Sequence, residues 1–162
     1  MIKKFLIVTL ALVISFSDIT SNMVTAQSAP TDPETVARLF FDRFSEHDHE
    51  ALAPLFADWA VYCKMRQINE KEWDIDQFNA RKWLNEVIKE VGDLPGFRID
   101  VHELAVMMLR DDMAAVSVTW AAYVGDTVAN EGIDVLSMIK SDDTWLIVQY
   151  SALEKFTGPD AN

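Results

Sequence analysis

The chain has 162 residues, half of them apolar and a quarter charged, with only five glycines and five prolines. That composition suits one globular domain with a sizeable core and excludes collagen-like, low-complexity and disordered chains. With 14 basic against 26 acidic residues the formal charge is −12, which excludes a partner built on a phosphate backbone and predicts no nucleic-acid binding.

The first segment reads as an address. Lys3 and Lys4 precede an apolar run from Phe5 to Ile14, too short for the roughly 20 residues of a membrane span. A positive start, a short apolar middle and small residues at Val24-Thr25-Ala26 predict a secretory signal peptide over residues 1–26. The expected location is periplasmic or secreted, with no membrane association after cleavage. Cys63 stands alone, so no internal disulfide supports the fold, and it is expected to be a small buried hydrophobe.

Residues 27–33 read as a flexible leader, residues 34–156 as the folded domain and 157–162 as a tail. Thr31 or Asp32 is placed to cap a helix with Pro33 and Glu34 in its first turn. Val36, Leu39, Phe40, Arg43 and Phe44 mark one face of it by their spacing. The stretch from His47 to Glu50 breaks the pattern, and a short second helix follows with Leu52, Leu55 and Phe56 on one side. Ala60 to Ile68 reads as a strand. Trp73-Asp74-Ile75-Asp76 reads as the capped start of a long third helix, with Phe78, Trp83, Leu84, Val87, Ile88 and Val91 as its apolar face. Gly92, Pro95 and Gly96 end that helix.

Strands follow at Phe97–Leu109, Met113–Val124, Glu131–Lys140 and Trp145–Leu153, separated by Arg110-Asp111-Asp112, Gly125-Asp126 and Ser141-Asp142-Asp143. Three hairpins after a helical half predict an α+β fold with three N-terminal helices packed on a strongly curved antiparallel sheet.

The order of these elements, with His47-Asp48, the run from Ala51 to Tyr62, Asp112-Met113-Ala114-Ala115-Val116 and Asp143-Thr144-Trp145-Leu146-Ile147, resembles the nuclear transport factor 2-like superfamily over about residues 34 to 155. That group includes SnoaL-like polyketide cyclases, ketosteroid isomerases and scytalone dehydratases. The resemblance implies a cystatin-like cone: a bent sheet enclosing an apolar cavity, often dimeric through the outer sheet face. It also implies where catalytic groups would stand. The ketosteroid isomerase base position falls at Lys64, its tyrosine donor at Phe40 and its protonated aspartate at Asp134. The acid–base aspartate of the cyclases falls near Tyr150 or Ser151. Neither catalytic set is intact, because Phe40 lacks a donor and a protonated Lys64 cannot accept a proton.

By alternation and this alignment, Val116, Val118 and Trp120 face the cavity, as do Asp134, Leu136 and Met138, with Tyr62 and Lys64 on the first strand. Phe40, Tyr62, Val116, Val118, Trp120, Leu136 and Met138 are therefore the expected ligand contacts. Lys64, Asp134 and His102 are the candidate proton carriers; His102 shares a strand face with Arg98, Asp100 and Leu104, and an imidazole is the side chain most suited to acid–base exchange. His47 and His49 offer too few ligands for a metal, and the paired aspartates at Asp111 and Asp142 read as turn formers. No metal or cofactor is expected. The leading expectation is an exported homodimer that binds a small, mainly apolar molecule. The alternatives are an isomerase, dehydratase or cyclase using Lys64, Asp134 or His102, and a non-catalytic dimerisation or accessory module.

Overall fold

The computed structural model describes residues 31–69 and 72–156, the side chains of 67–69, 72 and 154–156 excepted. The expected signal peptide, the leader up to residue 30 and the tail lie outside the described residues. Helix α1 spans Pro33–Ser45, and α2 spans His49–Leu52, running into a 3-10 turn at Ala53–Leu55. Strands β1 (Phe56–Asn69) and β2 (Glu72–Asn79) precede α3 (Ala80–Gly92), and β3 (Phe97–Arg110), β4 (Met113–Val124), β5 (Thr127–Ser141) and β6 (Thr144–Phe156) complete the chain.

Asp32 starts α1: its carboxylate accepts the Thr35 N–H at 2.9 Å and the Thr35 hydroxyl at 2.8 Å. The backbone N–H bond first, and then the hydroxyl, hold this carboxyl below the ordinary carboxylate range. The contribution of the cap is therefore complete at neutral pH and is lost as pH falls through the lowered value. Asp32→Ala is expected to cost about 1 kcal/mol at pH 7 and much less near pH 2. Urea unfolding at the two pH values checks it, and an equal cost at both would show that the carboxylate is not the capping group. Along α1, Val36, Ala37, Phe40, Phe41 and Phe44 are buried, the spacing of one helical face.

The bend after α1 is a helix-ending motif. The Asp48 N–H donates to Arg43 O at 2.9 Å and the His47 N–H to Phe44 O at 3.1 Å, with His47 in the left-handed region at φ 57°. Asp48 then caps α2 by accepting the Ala51 N–H.

The six strands form one sheet in the order β2-β1-β6-β5-β4-β3. Every neighbouring pair is antiparallel except β1 and β6, which run parallel. The expected all-antiparallel sheet is corrected accordingly. The helices also differ from expectation, because α3 follows two strands rather than the single strand expected before it. The segment expected to open α3 is β2. Its Asp74 and Asp76 stand opposite Arg66 and Lys64 in the register, and Asp74 bonds Arg66 at 3.2 Å. Cross-strand charge complementarity thus holds these aspartates in a strand. The helix cap is Asn79, whose side chain accepts the Lys82 N–H at 3.0 Å.

Register shifts mark one-residue bulges at His102 on β3, Ala129 on β5 and Val148 on β6. Bulges bend a strand and increase its twist, which accounts for the curvature of the sheet. They also change which residues face inward. After His102 the inner place passes to Leu104, which packs against the core, while Glu103 is exposed. The expected partition of β3, with Leu104 beside His102 and Glu103 beside Val101, is corrected by this bulge. At the start of β3, the Ser45 hydroxyl accepts the Ile99 N–H at 2.9 Å, tying the edge strand to α1.

Gly96 and Gly125 both take positive φ, and the Gly125 N–H donates to Gly96 O at 3.2 Å. A Cβ on Gly96 would stand 3.3 Å from the Gly125 backbone, so the loop before β3 and the turn after β4 approach closely here. Cys63 is buried. No helix among the described residues is long and apolar enough to cross a membrane.

Candidate functional site

The inner face of the sheet, α1 and α3 surround a pocket of about 160 Å³. Helix α1 contributes Phe40, Phe41 and Phe44, one turn of its buried face. In α3, Ala80, Leu84 and Ile88 form a row buried beneath the helix, and Trp83, Val87 and Val91 form the adjacent row that lines the pocket. Spacings of four keep each row straight along the helix. From the sheet come Tyr62, Trp120, Ala122 and Tyr150, with Leu94, Phe97 and Ile99 along one side.

The rings support one another. Tyr62 and Trp83 stack with centroids 3.9 Å apart, and Tyr150 lies 5.1 Å from Tyr62 and 5.3 Å from Trp83. Phe40 meets Tyr150 edge-on at 5.2 Å. Trp120 lies over Gly132, where a Cβ would come within 3.1 Å of its ring and 2.6 Å of Leu153 O. A side chain at 132 would crowd both the indole and the neighbouring strand.

Behind the wall a polar contact joins two of these elements. Asp134 is fully buried, and the Tyr150 hydroxyl donates to its Oδ2 at 2.5 Å. A buried carboxyl needs such partners, because desolvation without them costs several kcal/mol.

The expected ligand contacts divide into two groups. Phe40, Tyr62 and Trp120 line the pocket. Val116, Val118, Leu136 and Met138 are fully buried but lie outside the pocket lining. They belong to the hydrophobic core.

None of the candidate proton carriers Lys64, Asp134 and His102 is among the residues lining the pocket. Lys64 and Asp134 both pair with Ala152, from opposite sides of β6. Their backbones are thus two strand spacings apart, roughly 10 Å. Lys64 is partly buried, and His102 is exposed on the bulge of the edge strand. Among the described residues no group of three His, Cys, Asp or Glu side chains is placed to hold a metal.

Among the lining residues that were not expected ligand contacts, Trp83, Tyr150 and Asn130 carry the most chemistry. Trp83 was visible as part of an apolar helix face, but the face splits into two rows, and only packing shows which row meets the pocket. Tyr150 moves inward because Val148 is the extra residue on β6: Trp145 and Ile147 face in, and after the bulge so do Tyr150 and Ala152. Asn130 follows Ala129, the extra residue on β5, and both line the pocket.

The curved six-stranded sheet with its helices is a cystatin-like α+β fold, similar to that of solved nuclear transport factor 2-like proteins. Three solved structures illustrate the likeness. A domain of unknown function with a cystatin-like fold from Nostoc punctiforme matches with a TM-score of 0.60 and 16% identity, over 76% of this chain and 75% of that one. The β subunit of the benzoate 1,2-dioxygenase of Burkholderia mallei matches at 0.58 and 14%, over 75% and 87%. A nuclear transport factor 2-like protein of unknown function from Shewanella oneidensis matches at 0.54 and 15%, over 74% and 94%. No protein-family model matches the sequence, and no curated protein matches it.

Proposed function

We propose that the chain is an exported protein that binds a small, mainly apolar molecule between the sheet and the two longer helices, and that it works as a homodimer. The observation that carries the binding is the pocket itself: its wall is made almost wholly of aromatic and aliphatic side chains, with Tyr62, Asn130, Tyr150 and the indole N–H groups of Trp83 and Trp120 adding polar atoms. Small-molecule sites have this character, a concave apolar surface with a few fixed polar groups. The leader of Lys3, Lys4 and a short apolar run supports export.

The outer sheet face supports the dimer. Ser117 pairs with Val135 and Thr119 with Ile133 at its centre, an uncharged patch on a strongly acidic chain. Ile133 is 47% and Val135 39% exposed, and an apolar patch of this kind is what an isologous interface buries. Native mass spectrometry of residues 27–162, purified from an exporting host, is expected to record a dimer carrying a co-purified small molecule. Ile133→Arg is expected to give a monomer that still carries the molecule. A wild-type monomer would overturn the dimer, and a bare protein that takes up no small apolar probe would overturn the binder.

A second reading, an enzyme of the isomerase, dehydratase or cyclase type, is favoured by the bond from Tyr150 to Asp134. It joins a phenol in the pocket wall to a buried carboxyl, an arrangement suited to passing a proton to a ligand oxygen. Turnover of a co-purified ligand that disappears in Tyr150→Phe while binding persists would select this reading.

A further inference from the structure

The pocket has features that restrict what it holds. Its volume is about 160 Å³, and apolar cavities of roughly 150 Å³ take a single benzene ring. The lining contains no charged side chain, so an ion buried there would lack a counter-charge, in a chain whose net charge is already −12.

Asn130 adds a direction. By register it stands opposite Ala122 on the inner face, and it lines the pocket beside the bulged Ala129, the kind of backbone irregularity that re-aims a side chain. Its Oδ1 accepts the Glu131 N–H at 3.0 Å. Because a backbone N–H only donates, this bond fixes which end of the amide is the carbonyl. The NH2 end is therefore the one with donors to offer. The Tyr150 hydroxyl, by contrast, is directed to Asp134.

We infer that the ligand is an uncharged single-ring molecule bearing one hydrogen-bond acceptor, with its ring among the aromatic side chains and its acceptor on the Asn130 amide. This rests on the small-molecule reading above and deepens it. Acetophenone and ethylbenzene have nearly the same shape, and only the first carries an acceptor. On the protein purified from an exporting host, acetophenone is expected to bind about five- to tenfold more tightly, the effect of one hydrogen bond. The Asn130 side-chain NH2 resonances are expected to shift with acetophenone alone.

Asn130→Ala, and Asn130→Asp as a variant of unchanged size, are expected to abolish the preference for acetophenone over ethylbenzene. Equal binding of the two probes with unmoved Asn130 resonances would overturn the inference and leave the pocket reading intact. Benzoate binding as tightly as acetophenone would overturn the uncharged class. Binding of none of the three would remove the pocket reading, and the inference with it.

Discussion

Phe40→Ala is expected to cost about 3–5 kcal/mol, the largest effect of any single change proposed for this chain. Phe40 is 1% exposed, and its ring meets Phe41, Phe44, Phe56 and Tyr150 at centroid distances of 5.0 to 5.8 Å. These neighbours come from α1, the start of β1 and β6, so no single element is able to move in and fill the space. The penalty combines the lost transfer free energy with that of an uncollapsed cavity. Because Phe40 also lines the pocket, the truncation is expected to enlarge it and to admit probes bulkier than one ring. Denaturant unfolding measures the first effect and probe titration the second. A cost below about 1 kcal/mol would show that the helix settles onto the sheet and closes the gap.

Tyr150→Phe is expected to cost about 1–3 kcal/mol, although it removes a single oxygen atom. The Asp134 carboxyl is fully buried, so a lost donor is not replaced from solvent, and the desolvation penalty of the acceptor is exposed. A double-mutant cycle with Asp134→Val, which leaves no acceptor, isolates the pair. A coupling energy near 1 kcal/mol or above is expected; a value near zero would show that the contact between the two side chains contributes nothing to stability. The retained ring keeps its edge contact with Phe40, so packing changes little and the measured difference reports the hydroxyl.

The meander from β3 to β6 was legible because turn residues fall at regular intervals, and apolar runs between Asp112, Gly125 and Asp142 leave few other ways to bury themselves. The face of α1 was legible for the same reason. β2 was not. Trp73-Asp74-Ile75-Asp76 looks like an acidic helix start when read alone, and becomes a strand once Lys64 and Arg66 are seen across from it. That pairing depends on the register between two segments, which neither segment states by itself.

The site was legible only as far as alternation holds. Trp120 and Tyr62 sit where a strict period of two places them. Tyr150 and Asn130 do not announce themselves, because the bulges at Val148 and Ala129 each shift the inner face by one residue. Nothing in the local sequence marks either position with a glycine. The family positions read from the resemblance met the same difficulty. Tyr150 was reached by counting along the last strand, but its contact with Asp134 required the geometry of two strands at once.

The parallel pairing of β1 with β6 has a consequence for how the domain comes together. β3 to β6 join through hairpins, whose contacts are local and close quickly, whereas β1 must wait for the last strand and pay the entropy of a long loop. Tyr62 on β1 and Tyr150 on β6 are direct partners in that late pairing, so the pocket comes into existence only when the two distant segments meet. A molecule bound among these rings bridges the beginning and the end of the domain, and its binding free energy is added to the folding of the whole rather than to any one element.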